Sequence, residues 1–469
     1  MPPILATAVW LILLLLLLYY DPAKEPGVSV AIWMPVIWIF FVASRLPSQW
    51  VGGQIGSAAE AFQEGNSLDR TVFLVLIVLA VGILVSRSFR WGNFFARNLM
   101  LTSLLLFALV SVLWSDFPFI AFKRWFRDLG HYLAILIALS DPLPLEAVRT
   151  LLRRLSYLLI PLSILLIKYY PLQGMQYSEW TGGAMAVGVG TSKNTLGAVC
   201  LVSGLFFFWD TLNRWSNRKE GRTKRAIIVN LAFFAMTVWL VNLAHSATSG
   251  VCMLIGCLVV VAARSKWTQR HSGFFKVLIP SSYCLYLILA FGLDLSGQLA
   301  GMVGRDPTLT DRTAIWKILL GMNINPLIGT GYESFWLGSR LDWLWQQKTT
   351  HGINEAHNGY LEVYLNLGLI GVIVLVSFLI SSYRSICKKL HTLSGFASLG
   401  LALWTVALFY NMTEAAFIGF HFMWAIFLVA AITVPERAEV PVPIPARFGR
   451  AQPTKPIAQF GLGAKVHRR

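Results

Sequence analysis

Apolar residues in this chain gather into long, nearly uninterrupted runs rather than into a stripe of period 3.6 or 2. The runs lie near 4–20, 28–44, 71–86, 98–114, 129–140, 154–169, 195–210, 226–244, 250–263, 277–294, 358–381, 395–410 and 416–434. Runs of this length and uniformity belong in lipid, where the backbone must satisfy its own hydrogen bonds, so each predicts a helix. The pattern predicts an all-α polytopic membrane protein of about 12–13 transmembrane helices. Residues 1–434 form one transmembrane domain and 435–469 a disordered basic tail rich in Pro and Ala. The first run lacks preceding bases and a small-residue cleavage site, so it reads as a transmembrane helix and not a cleaved signal; if it lies in the interface instead, the count is twelve.

Composition agrees. Of 469 residues 56% are hydrophobic and only 13% charged, about half the charged share of a soluble domain. A net charge of +17 would suggest nucleic acid in a soluble chain. Here the bases fall in short connections at 87–97, 149–154, 214–225, 264–276 and 384–389, and in the tail. Orientation signalling and contact with anionic lipid explain them without nucleic acid. By the positive-inside rule those segments are cytoplasmic. Segments 45–70, 115–128, 171–194, 245–249, 295–357 and 411–415 then face outward, to the periplasm of a bacterial inner membrane. The loop 295–357 is the longest, and long loops carry function. The five cysteines show no metal or disulfide spacing.

Chemistry gathers on the outward side. Lys123, Arg124 and Arg127 sit in WSDFPFIAFKRWFRDLG, Lys193 and Asn194 open the helix SKNTLGAVC, and Arg305 and Arg312 sit in GRDPTLTDRTAIW. Bases on the disfavoured side cost insertion energy, and an anionic substrate at that surface would account for them. Arginine suits phosphate because its fork makes two parallel hydrogen bonds. Pairing with Asp116, Asp128, Asp306 and Asp311 is the structural alternative. His357 stands where the long loop enters a membrane helix, and the helix N-terminus should lower its pKa and keep it neutral, suiting general-base work. Asn358 and Glu362 are four apart on one face, placed to bind substrate or merely to satisfy each other. Thr310 or Asp311 reads as the N-cap of a helix whose Arg312, Trp316 and Leu319 share one face. Asn325, Pro326, Gly329 and Gly331 punctuate the turn after it. GVGTSKN is not read as a phosphate cradle, because nucleotides are scarce outside. No P-loop, GxSxG or HExxH is present.

Three ordered motifs resemble one family. HNGYLEVYLNLGLIG resembles the C-terminal signature of the O-antigen ligase and polymerase superfamily. GRDPTLTDRTAIWKILLGMNINPLIGTGYESFW resembles its outer-loop segment, and VGTSKNTLGAVC its Lys-Asn-x-x-Gly helix start, so the signature region covers about 190–375. The N-terminal IWMPVIWIFFVASRLPSQW is similar to members linked with exopolysaccharide production. The resemblance implies a metal-independent, cofactor-free, inverting glycosyltransferase. It would move a glycan from a polyprenyl diphosphate carrier to an acceptor hydroxyl, either another carrier-linked unit (polymerase) or lipid A–core (ligase). In that scheme His357 is the base and Arg312 holds the diphosphate, helped by Arg305, Lys193, Arg124 or Arg127. A transporter or flippase of lipid-linked oligosaccharide is the competing reading. It predicts ionisable residues near the bilayer midplane, whereas the spans read as nearly charge-free.

Overall fold

The computed structural model describes residues 1–24, 27–52, 65–177, 183–271, 273–289, 308–390 and 394–434. Arg305 and the tail 435–469 lie outside the described residues. The helices are α1 (Pro3–Tyr19), α2 (Trp33–Ala43), α3 (Ser67–Ser86), α4 (Leu99–Val110), α5 (Pro118–Leu139), α6 (Pro144–Tyr169), α7 (Lys193–Arg214), α8 (Gly221–Leu243), α9 (Ala247–Arg264), α10 (Gly273–Leu287), α11 (Thr308–Leu320), α12 (Gly338–Gln346), α13 (Gly359–Lys389), α14 (Ser394–Tyr410) and α15 (Phe422–Ala431). One short antiparallel pair, Met175–Tyr177 with Ala184–Ala186, interrupts them.

The architecture is that of an all-α polytopic membrane protein. Six described helices are long and apolar enough to cross a membrane: α3, α6, α7 with its short extension, α8, α9 and α13. Trp91–Arg97 and Leu99–Trp114 make a seventh span if taken together, bent by 97°. Asn98 sits at that bend, its side chain tied to Phe94 O at 2.9 Å and to both Thr433 O and Thr433 N at 2.8 and 2.9 Å. The side-chain amide thus replaces helix bonds lost at the break. Of the remaining apolar runs, 129–140 forms the second half of α5, and the others give shorter helices, α1, α2 with its preceding turn, α10, α14 and α15. A count of runs therefore mixes full-length spans with shorter elements.

α7 lies at the centre and is largely buried, from Leu196 to Phe207 without interruption. It packs on α8 and α9, and α9 packs on α14. Small residues allow this: a Cβ at Gly197 would come within 2.5–2.8 Å of Ser246 and Ser249, and one at Gly204 within 2.6 Å of Met253. Without a hydrophobic drive between helices in lipid, close approach at small residues supplies the packing. α3, α8 and α9 keep more than half of their apolar length outside the protein core, facing where lipid would be.

Two features shape the site. The basic residues of the outward segment 115–128 occupy the first turns of α5, and most of its second half, from Gly130 to Leu139, is buried. A second, smaller apolar cluster, formed by Ile315, Leu319, Phe335, Trp336, Leu341, Leu344, Ala356 and Leu365, stands apart from the main core and organises the long loop. α11 contributes its apolar face to this cluster and sends Trp316 Nε1 to Ala356 O at 2.8 Å. Because α11 starts at Thr308, Thr310 and Asp311 lie inside its first turn instead of capping it.

Candidate active site

The loop after α11 is held by pairing its backbone with an unwound stretch of α13. Thr330 N and Gly331 N donate to Leu365 O and Asn366 O at 3.1 and 2.9 Å, and Leu369 N and Ile370 N donate to Pro326 O and Leu327 O at 2.9 and 3.1 Å. Gly368, at φ 64°, breaks the helix there. Asn366 Oδ1 accepts from Ser334 N and Phe335 N, and Ser115 Oγ meets Ser334 Oγ at 2.6 Å. The Asn-Pro…Gly-x-Gly segment is thereby fixed between α13 and the residues just before α5.

This framework assembles two charged clusters. In the first, Glu414 is the hub. Its carboxylate is buried, accepts from Asn194 Nδ2 at 2.9 Å on both oxygens, and accepts from Arg312 Nη2 at 3.2 Å. His357 Nδ1 lies 3.8 Å from Glu414 Oε2 and 2.8 Å from Glu355 Oε1. The helix start at Lys193–Asn194, the loop arginine, the histidine and the 411–415 segment thus meet around one carboxylate. His357 holds a left-handed backbone, φ 48°, which turns the chain into α13.

The electrostatics reverse one sequence expectation. Burial pulls the His357 pKa down, but Glu355 and Glu414 more than offset this and raise it to about 9. His357 is therefore an imidazolium at neutral pH rather than the neutral base expected from the helix N-terminus; two carboxylates outweigh one helix dipole. Burial would push the Glu355 carboxyl up, yet His357 and Arg312 hold it below the usual carboxylate range. His421 is held low by burial, and its Nδ1 accepts from Met423 N at 3.1 Å as the cap of α15.

The second cluster lies at the start of α5. Arg127 Nε is 2.9 Å from Asp128 Oδ1, and its guanidinium lies 4.4 Å from the centre of the Phe420 ring. Asp128 also accepts from Tyr332 Oη at 2.9 Å. Arg124 Nη1 donates to Glu333 O at 2.7 Å. An open cavity of about 660 Å³ is lined by Lys123, Arg124, Arg127 and Glu333, by Phe119, Phe122 and Phe420, and by Glu355 and His421. Glu355 thus faces the cavity and touches His357, joining the two clusters.

Two of the proposed substrate ligands are committed to local structure. Asn358 caps α13, its Oδ1 accepting from Tyr360 N and Leu361 N at 3.0 and 3.1 Å. Glu362 accepts from Trp336 Nε1 at 2.7 Å, Ala356 N at 2.9 Å and Asn366 Nδ2 at 2.9 Å, so it pins the loop to the helix. The two do not satisfy each other. Lys193 opens α7 and forms no ion pair with a described residue. The GVGTSKN turn turns carbonyls, not N–H groups, towards a charge: Arg45 Nη2 donates to Gly188 O and Gly190 O at 3.3 and 3.0 Å.

With this geometry in view, the family comparison is specific. Residues 182–376 match the family model described as O-Antigen ligase. Over these residues the chain is similar to the O-antigen ligase family. The match contains Lys193, Asn194, Arg312, Glu355, His357 and the loop-to-α13 pairing. The chain is also 26% identical over 315 residues to the exopolysaccharide production protein ExoQ of Rhizobium meliloti (strain 1021), covering 64% of this chain and 67% of that protein. Glu414, Arg124 and Arg127 lie outside the segment matched to the O-antigen ligase family. Glu414 was missed in the sequence; its only signal was a lone carboxylate in the short outward segment 411–415.

Glu355, His357 and Glu414 present ligand atoms within 4.8 Å of one another, a spacing that suits a cation. Glu414, however, already faces Arg312, Asn194 and the His357 cation, which leaves little negative charge to attract a metal.

Proposed function

We propose that this protein is a membrane glycosyltransferase of polysaccharide synthesis. It moves a glycan from a polyprenyl diphosphate carrier to an acceptor hydroxyl on the periplasmic face of the inner membrane. The observation that carries this reading is the open cavity, lined both by arginines of α5 and by Glu355, which is backed by His357. The family and the ExoQ likeness support the same class of reaction.

The carrier's diphosphate is an anion bearing a good leaving group, so the reaction needs neither nucleotide nor redox cofactor. The acceptor oxygen attacks the anomeric carbon; the bond from that carbon to the diphosphate oxygen breaks, and the electron pair leaves with the diphosphate. Direct displacement inverts the carbon. Arg124, Arg127 and Arg312 offset charge developing on the leaving group. The hydroxyl proton passes to the pair Glu355–His357. Because His357 begins as the cation, Glu355 is the member that receives the proton, and His357 steadies the carboxylate and the departing anion. No metal enters this scheme, and transfer should survive chelators.

Whether the acceptor is a second carrier-linked unit or lipid A–core is decided by supplying each separately to the purified, reconstituted protein with a lipid-linked oligosaccharide donor. The ExoQ likeness favours growth of carrier-linked chains. Movement of the carrier across the bilayer without transfer to either acceptor would replace this reading with that of a flippase.

A further inference from the structure

Two carboxylates lie beside the arginines that line the cavity, and they are bound differently. Asp128 is buried, 2.9 Å from Arg127 Nε, and fixed by Tyr332 Oη. Glu333 is one-quarter exposed, and its Oε2 lies 3.5 Å from Arg127 Nη2 and 3.9 Å from Arg124 Nε. Strong pairs of this kind close to about 2.7–2.9 Å. Glu333 therefore balances the arginines without being locked to them. Its backbone is the firm part: Glu333 O accepts from Arg124 Nη1 at 2.7 Å, so the arginine stays placed wherever the carboxylate goes.

Two backbone features keep the Glu333 carboxylate in this position. Glu333 itself sits at φ 46°, a conformation uncommon for a residue with a side chain. Opposite it, Gly419 is at φ 75°, and a Cβ there would lie 2.3 Å from Glu333 Oε1. Strain held beside a ligand cavity points to a functional constraint.

We propose that Glu333 is a resident anion occupying the place of the carrier's diphosphate, which seats on Arg124 and Arg127 by displacing the Glu333 carboxylate into the cavity. This rests on reading the cavity as the donor site. Displacement also serves the end of the reaction. A glycosyl-linked diphosphate carries one fewer ionisable oxygen than the polyprenyl diphosphate it becomes, so the product would hold the arginines more tightly than the substrate. Return of Glu333 competes with that product and speeds its release.

The test uses the full chain in detergent or nanodiscs and inorganic pyrophosphate as the probe, with binding measured calorimetrically. Glu333→Gln should bind pyrophosphate about tenfold tighter than wild type, equivalent to about one pKa-sized step of free energy. Glu333→Asp, whose shorter carboxylate retreats from the arginines, should fall between them and guards against misfolding of the first variant. Adding Arg127→Gln to Glu333→Gln should remove the gain, while Asp116→Asn, which removes a charge from the neighbouring segment outside the cavity wall, should leave binding unchanged. Unchanged or weaker binding in both Glu333 variants overturns the proposal, as does equal tightening in Asp116→Asn. Pyrophosphate binding is read without turnover. Tightening in a protein that transfers no glycan would sustain the resident anion while sinking the transferase reading. Transfer with unaltered pyrophosphate binding in the Glu333 variants would do the reverse.

Discussion

Arg312 and His357, forty-five positions apart in the numbering, meet through opposite oxygens of Glu414, at 3.2 Å and 3.8 Å. The carboxylate fixes the arginine and helps keep the imidazole charged. Glu414→Gln preserves the shape and one acceptor oxygen but removes the charge. Transfer should fall at least tenfold, and the alkaline limit of activity should move to lower pH, because one of the two groups raising the His357 pKa is gone. Steady-state transfer against pH checks both; an unshifted profile would show that Glu414 does not govern His357.

The pH dependence of the wild type separates the two roles for His357. Its folded pKa is raised to about 9, above the unperturbed value, so its ion pairs are intact below about 6.5 and disappear as pH rises through 9. Activity should hold across neutral pH and decline near 9, whereas thermal stability should fall progressively between about 6.5 and 9 and level off above that. A rate that instead climbs with a midpoint near 6.5 would identify a neutral imidazole base.

Asn358 is a cap rather than a ligand, and this too is measurable. Asn358→Ala removes the acceptor for Tyr360 N and Leu361 N and should cost about 1 kcal/mol of stability. Asn358→Asp keeps the cap and should retain both stability and donor KM. A large KM increase in the aspartate variant would return Asn358 to the substrate.

The break in α13 depends on Gly368. A Cβ there would stand 2.3 Å from Leu327 C and O, in a left-handed backbone. Gly368→Ala should therefore lower the melting temperature and detach the loop 326–331, with a loss of stability of about 2 kcal/mol or more. Gly82→Ala in α3, where a Cβ meets nothing within 4 Å, should be nearly neutral and serves as the control. Melting of both variants in the same detergent decides the point.

The membrane class and the helical runs were legible because lipid imposes a simple rule on composition. The shared face of Arg312, Trp316 and Leu319 was legible because helix period alone defines it; the structure places Leu319 in the loop core and Trp316 and Arg312 on their partners. Glu414 was not, since a single carboxylate acquires meaning only when α14, α7 and the long loop converge on it. Glu355 was hidden for the same reason: it acquires meaning only through its contact with His357 and its place in the cavity lining. The bend at Asn98 and the unwinding at Gly368 were also hidden, because both are set by backbone partners distant in sequence. The spans were read as nearly charge-free, yet Arg153 in α6 and Asp210 in α7 form a buried pair at 2.5 Å, joined by Arg214. Their charges compensate within the protein, which a hydropathy count cannot register.

In the proposed function the Arg312–Glu414–His357–Glu355 cluster performs glycan transfer from a polyprenyl diphosphate carrier. The most direct measurement is single-turnover transfer in proteoliposomes by wild type, Arg312→Ala, His357→Ala and Glu355→Gln, each confirmed to insert and to melt cooperatively. Extended glycan is expected from the wild type, and at least a hundredfold slower transfer from all three variants. Wild-type rates in the Arg312 and His357 variants would contradict this role.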